Sequence, residues 1–315
     1  MKRNTILFLV IMVLILACTE AYAGIALITE IEAAGGTAEM RKAGQRDWVK
    51  AAPLQSLDQG DVMRVTGKAY AVIVSAAGGR ALKVTAANSP YEVKMQAPQD
   101  GKAVKAQIVF NKLMDFMTGK KKESLSMPLA VRSLKRAPGL VSPNNSKILT
   151  PQPLFEWIGT PRVPYGITVM LGDALVWQKE KIYRSRIAYP TEAKPLMPRQ
   201  RYLWEIETPG YPPVRAWFEI ATDDERKELE AEMRILEEPG FASLPQSTRA
   251  MLTYGILVSK GFHAEARNVL LAAMVSNPDV PLLHMLLGDS YEHGGLKDLA
   301  AEEYDEADFL MNIQK

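Results

Sequence analysis

Cysteine is almost absent from this sequence: Cys18 is the one thiol in 315 residues. The chain can form no internal disulfide and no thiolate metal site, so its stability has to come from burial. Histidine is scarce too, and all three histidines, His263, His284 and His293, lie near the C-terminus. His284 and His293 stand at unlike angles on a helix and make no i, i+4 metal pair. There is no G-x-S-x-G elbow and no G-x-G-x-x-G, and Gly119-Lys120 lacks the earlier glycine of a phosphate loop. Gly288-Asp289-Ser290 imitates the start of an esterase motif, yet it falls inside an expected helix. Charge of one sign is also lacking: 38 Lys and Arg stand against 36 Asp and Glu, a formal net charge of +2. That balance gives no reason to expect nucleic acid or an anionic surface as a partner. These absences predict a protein without cofactor, metal or catalytic activity.

What is present starts at the N-terminus. Lys2 and Arg3 precede an unbroken apolar run from Ile6 to Cys18, followed by Ala21-Tyr22-Ala23 before Gly24. This is the pattern of a secretory signal, expected to be removed as residues 1–23. As a helix the run reaches only about 20 Å, short of a bilayer core of about 30 Å. No membrane span is therefore expected after signal removal. Leu14-Ile15-Leu16-Ala17-Cys18 resembles the lipobox of bacterial lipoproteins, which makes Cys18 a candidate lipidation site in competition with cleavage before Gly24. The expected localisation is periplasmic or outer-membrane-associated.

Residues 24–100 read as short β runs broken by turn signals at Gly35-Gly36, Gly60-Asp61, Gly78-Gly79 and Asn88-Ser89-Pro90. From Ala69 to Ser75 the alternation is incomplete, which predicts that both faces of that strand are partly covered. The order of strands, a Trp at 48 and the stretch Leu57-Asp58-Gln59-Gly60-Asp61-Val62-Met63-Arg64 resemble the FecR-type β domain. Gly60 is expected to supply a positive φ at the turn, and Asp61 to accept hydrogen bonds from nearby amides.

Val104, Ile108, Leu113, Phe116 and Met117 recur at near-helical spacing, so 101–137 reads as a helical connector, with Lys120 to Lys122 a solvated run. From 138 to 222 the chain is β-rich and punctuated by proline. The stretches Pro153-Leu154-Phe155-Glu156-Trp157 and Arg201-Tyr202-Leu203-Trp204 resemble the fibronectin type III-like β-sandwich. Their spacing puts Phe155 with Trp157, and Tyr202 with Trp204, on inward faces.

Residues 223–315 change to a helical pattern. Thr222-Asp223-Asp224-Glu225 is a capping box, and the helix it opens is expected to end at Pro239-Gly240. Gly261, Ala266, Leu270 and Ala273 then recur 34 residues later as Gly295, Ala300, Tyr304 and Ala307. That period, with Leu287-Gly288 and Tyr291, resembles the tetratricopeptide repeat (TPR), a helix pair per repeat. The resulting fold class is multidomain: an all-β FecR-like domain, a β-sandwich and an all-α TPR-like domain.

The tetratricopeptide resemblance implies a concave face that binds a peptide or partner helix. By position that face is Arg249, Leu252, Ile256, Ser259 and Lys260, then Leu282, Met285, Asp289, Glu292 and His293. Two repeats could instead form a closed helical domain with no groove. The expected function is a cell-envelope scaffold or binding protein acting on an envelope protein or peptide. The alternative is a peptidoglycan- or polysaccharide-binding protein using Trp48, Trp157, Trp177 or Trp217. A FecR-like signalling regulator is not expected, because only Met1 to Thr5 precede the apolar run.

Overall fold

The computed structural model describes residues 25–33, 35–75, 81–94 and 137–313. The signal segment with Cys18, the Gly78-Gly79 turn and the connector before Ala137 lie outside these residues. A mostly β N-terminal region is followed by a helical C-terminal region.

The first β unit contains β1 (Ala26–Glu32), β2 (Ala38–Arg41), β3 (Val49–Lys50), β4 (Ser56–Leu57), β5 (Val62–Val65), β6 (Tyr70–Ser75), β7 (Ala81–Thr85) and β8 (Tyr91–Glu92). They form two sheets, ordered β4-β1-β6-β7 and β3-β2-β5-β8. Ala38 and Met40 point inward while Glu39 and Arg41 point out, the period-two pattern that buries one face. Ile28, Met40, Leu57, Met63, Ile73 and Val84 fill the space between the sheets. In β6 both faces are buried: Ala71 and Ile73 enter this core, while Val72 and Val74 pack on the other side with Leu244 and Leu252. Gly60 takes φ +84°, where an L side chain would be strained. Asp61, buried behind it, accepts from the Ala43 and Asp58 amides at 2.9 Å and from Lys42 Nζ at 2.8 Å.

The second β unit contains β9 (Gly139–Ser142), β10 (Ser146–Ile148), β11 (Leu154–Ile158), β12 (Tyr165–Leu171), β13 (Ala174–Ile182), β14 (Arg186–Ala188), β15 (Arg201–Thr208) and β16 (Tyr211–Ile220). A five-stranded sheet, β10-β16-β15-β12-β13, shares one core with a three-stranded sheet, β14-β11-β9. Phe155, Trp157, Tyr202 and Trp204 all point into that core. Phe155 meets Trp204 at 5.0 Å and Tyr202 stacks on Phe218 at 5.3 Å between ring centroids. The Trp204 indole donates to the Pro143 carbonyl at 2.6 Å, which satisfies the polar atom of a buried ring.

Helices α1 (Asp223–Met233), α2 (Gln246–Ser259), α3 (His263–Ser276), α4 (Pro281–His293) and α5 (Lys297–Ile313) complete the chain. The capping box is present, with Thr222 Oγ1 accepting from the Glu225 amide at 3.2 Å and Glu225 accepting from the Thr222 amide at 2.9 Å. Here the expected boundary is corrected: α1 stops at Met233, and Pro239 begins a short helical turn, Pro239–Ala242, rather than ending α1. Proline fits the first position of a helical turn because its missing N–H would be unpaired there anyway. The 34-residue spacing falls on two helix pairs, with Ala266, Leu270 and Ala273 of α3 and Ala300, Tyr304 and Ala307 of α5 all buried. Among the described residues, no helix is long and apolar enough to cross a membrane.

Candidate functional site

The ten residues of the expected peptide face do not form one exposed surface. Leu252, Ile256, Leu282 and Met285 are buried, at 5%, 2%, 0% and 2% exposure. Leu252 packs with Val72 and Val74 of β6 and with Leu244. Ile256, Leu282 and Met285 lie in the main helical core, which Leu27 and Leu54 of the first β unit also enter. The groove expectation is therefore corrected: the N-terminal β unit packs on Leu252, and the helical core encloses Ile256, Leu282 and Met285, so the apolar part of this face is not open to a peptide. The physical reason is that β6 presents apolar residues on both faces, and the second face needs a cover.

The polar members of the same face serve internal contacts. Lys260 bridges Glu232 at 3.2 Å and Glu228 at 3.5 Å, and hydrogen bonding to Glu232 raises its pKa. Asp289 accepts from the Tyr254 hydroxyl at 3.0 Å, and burial together with that carboxylate pushes the phenol well up. Glu292 accepts from the Tyr304 hydroxyl at 2.9 Å. His293 stacks on His263 with ring centroids 4.2 Å apart. Arg249 and Ser259 remain exposed.

The covered face is a joint between units. Glu30 of β1 accepts from Ser247 and, at 3.4 Å, from Thr248, both in the first turn of α2, while Tyr70 donates to its other oxygen at 2.7 Å. A carboxylate at a helix N-terminus is held by the unpaired N–H end of the dipole as well as by these hydroxyls.

A second joint ties the helices to the other β unit. Arg267 of α3, 5% exposed, donates to Glu156 of β11 at 2.5 Å. Glu265 accepts from the Leu149 amide at 2.7 Å, and burial raises its pKa against the pull of that amide. Ser146 Oγ accepts from the Ala264 amide at 3.1 Å, and Asn144 donates to the Gly294 carbonyl at 2.8 Å. Lys147 pairs with Glu225 and draws its pKa down. Sequence reasoning missed both joints. A usable signal was Pro281 to Gly288, apolar around most of its circumference, which marks a helix enclosed on all sides rather than one edging a groove.

The tryptophans of the polysaccharide alternative are also spoken for. Trp157 is core, and Trp177 stacks on Phe155 at 6.2 Å and meets Tyr189 at 5.5 Å. Trp48 and Trp217, half-buried like Trp177, each lie beside a guanidinium: Arg64 at 4.2 Å and Arg41 at 5.0 Å over Trp48, and Arg201 at 4.3 Å over Trp217. Among the described residues, no group of three or more His, Cys, Asp or Glu is gathered in a way that could hold a metal ion.

No family model and no curated protein matches the chain. Among solved structures the chain is similar to a beta-1,2-glucanase from Parabacteroides distasonis, at 10% identity over 91% of this chain and with a TM-score of 0.21. This chain spans about half, 49%, of that chain's length. Two expectations are corrected by these findings. The FecR-type, fibronectin type III-like and tetratricopeptide resemblances find no matching family, and the similar structure bears none of those names, so they are withdrawn. The expectation of a chain without catalytic activity is withdrawn with them, because that neighbour is titled an enzyme. A TM-score that low carries no argument for this chain's own activity.

Proposed function

We propose that this chain is a scaffold or binding protein of the bacterial cell envelope, in which the helical region holds two β units in a fixed relation and so presents their outer surfaces together. The observation that carries the reading is that both β units are held on the same helical region by buried or half-buried polar contacts, Glu30 with Ser247 and Thr248 of α2 on one side and Glu156 with Arg267 of α3 on the other. Packing of apolar residues across the same joint, Val72 and Val74 with Leu252, makes it a fixed attachment rather than a tether. Export is supported by Lys2 and Arg3, the apolar run to Cys18 and the Ala21-x-Ala23 site, with Cys18 as the candidate lipid anchor. The polysaccharide reading has less support, since a sugar would have to displace Arg41 and Arg64 or Arg201 to stack on Trp48 or Trp217.

The test is cell fractionation followed by in-cell cross-linking, wild type against Glu30→Ala combined with Leu252→Ala. The scaffold reading expects an envelope-located product and loss of cross-linked partners when the first joint is loosened. An unprocessed cytoplasmic product, or an unchanged set of partners with a joint shown to be loosened, overturns it.

A further inference from the structure

Helix α5 has a core face and an outer face of mixed character. Ala300, Tyr304, Ala307 and Leu310 are buried. At about 100° per residue, Glu302, Asp305, Glu306, Phe309 and Ile313 fall together on the opposite side. A solvated helix face is ordinarily polar. Here Phe309 is 58% exposed and Ile313, one turn on, is 62% exposed, so the two side chains adjoin in the open. The helix is also acidic, with six Asp and Glu against Lys297 alone. Asp305 and Glu306 beside the apolar pair form no ion pair with any described residue.

The opposite composition is concentrated in one stretch of the same chain. Residues 102–122, outside the described residues, hold six Lys and one Asp. Val109, Leu113 and Phe116 recur there at i, i+4 and i+7, with Lys105 and Lys112 among them in sequence. The small net charge of +2 thus hides a separation of sign between this stretch and α5. The path of the chain brings the two within reach. Description resumes at Ala137, and a Cβ on Gly139 would stand 2.8 Å from Leu296 Cδ2, so the chain re-enters beside the residue that precedes α5. Phe309 lies about 20 Å along the helix from there, at about 1.5 Å per residue. The stretch from Met117 to Ala137 can span up to about 66 Å at about 3.3 Å per residue.

We propose that the outer face of α5 is the docking surface for this chain's own residues 102–122. Phe309 and Ile313 receive Val109, Leu113 and Phe116, while Asp305 and Glu306 meet Lys105 and Lys112. Apolar contact anchors the segment and the charges select it, since a second copy of α5 would set carboxylates against carboxylates. Attachment through the same chain holds the segment at an effective concentration on the order of millimolar, so individually weak exposed ion pairs suffice. This contact goes beyond the scaffold reading and does not depend on it.

The experiment is photo-cross-linking of the full chain with p-benzoylphenylalanine in place of Phe309, the joined residues being read by peptide mass spectrometry. Adducts within one chain to residues 102–122 are expected. The same group in place of Val275, 84% exposed on α3, should give none there. Asp305→Lys with Glu306→Lys should lower the yield by about threefold or more at unchanged circular dichroism, because two exposed attractions become repulsions. Adding Lys105→Glu and Lys112→Glu to that variant should restore the yield, which a locally unfolded α5 could not do. Adducts from 309 that lie only elsewhere in the chain, or that join two chains, overturn the proposal. So does a yield at 102–122 that is equal from 275 and 309, or one that charge reversal leaves unchanged, or one that the compensating reversals fail to restore.

Discussion

Arg267 of α3 donates to Glu156 of β11 at 2.5 Å, joining residues 111 positions apart in the chain. The arginine side chain is 7% exposed and the carboxylate 27%. Removing one partner of a buried pair strands the other charge, at about 3 to 5 kcal/mol, and the partial exposure of Glu156 puts this pair at the lower end. Glu156→Ala is thus expected to lower the melting temperature by more than Arg267→Met, which leaves behind only a carboxylate able to reach water. The reverse order in thermal melts would mean that Arg267 is stabilised by its other neighbours.

Leu252 lies in the joint between β6 and α2, so a charge there has nowhere to go. Leu252→Glu is expected to lower stability severely, through desolvation of an unpaired carboxylate among Val72, Val74 and Leu244. Arg249→Glu, three residues earlier and exposed, should stay within about 0.5 kcal/mol of wild type. Urea denaturation of both separates the joint from an open groove. A groove residue would tolerate glutamate with little change in midpoint.

The local grammar of the chain was largely open to inspection, and the tertiary partners were not. Thr222 and Glu225 announced a capping box because both halves of that motif lie within four residues. Phe155, Trp157, Tyr202 and Trp204 announced inward faces because strand alternation is a local property. The short strands β9, β10 and β14 went unread, since three or four residues carry too little periodicity to register. The candidate face failed for a different reason. Leu252 and Met285 show an apolar stripe in sequence, but whether a stripe faces solvent, a ligand or another unit depends on distant residues, for Leu252 on Val72 and Val74, 180 and 178 positions away. The partial alternation at β6 did hint at a covered second face, without saying what covers it.

Gly288 of α4 sits where a side chain has no room. A Cβ built there would lie 2.5 Å from Cε1 and 2.7 Å from Cδ1 of Tyr304. Tyr304 is 2% exposed and its hydroxyl is held by Glu292, so the ring cannot swing aside freely. Overpacking of this kind costs about 1 to 3 kcal/mol. Alanine's better helix propensity returns up to about 1 kcal/mol. Gly288→Ala is therefore expected to destabilise, and Gly288→Ala with Tyr304→Leu to lose less than the sum of the two single changes. Additive losses in the cycle would show that the two positions do not touch.

His284 of α4 gives the helical region a pH dependence of definite sign. Its Nδ1 is 2.8 Å from the Glu303 carboxylate and its Nε2 is 2.8 Å from the Pro278 carbonyl. Both partners are acceptors, so only the imidazolium, with a proton on each nitrogen, satisfies both. Burial pulls the pKa down, but the hydrogen bonds to Glu303 and Pro278 and the nearby charge of Glu306 outweigh it, and the net shift is upward. A pKa raised by folding contributes stability that is fully present below the unfolded value of about 6.5 and is lost as pH rises through the folded value. The melting temperature should therefore fall as the pH rises above about 6.5, over and above the drift of a control in which the pair is removed. Glu303→Gln keeps a hydrogen-bond acceptor but no charge, so it should flatten the profile while lowering stability at the acid end. His284→Gln should flatten it as well. Parallel profiles for all three proteins would show that His284 is neutral in the fold, with its Nδ1–H donating to the Glu303 carboxylate.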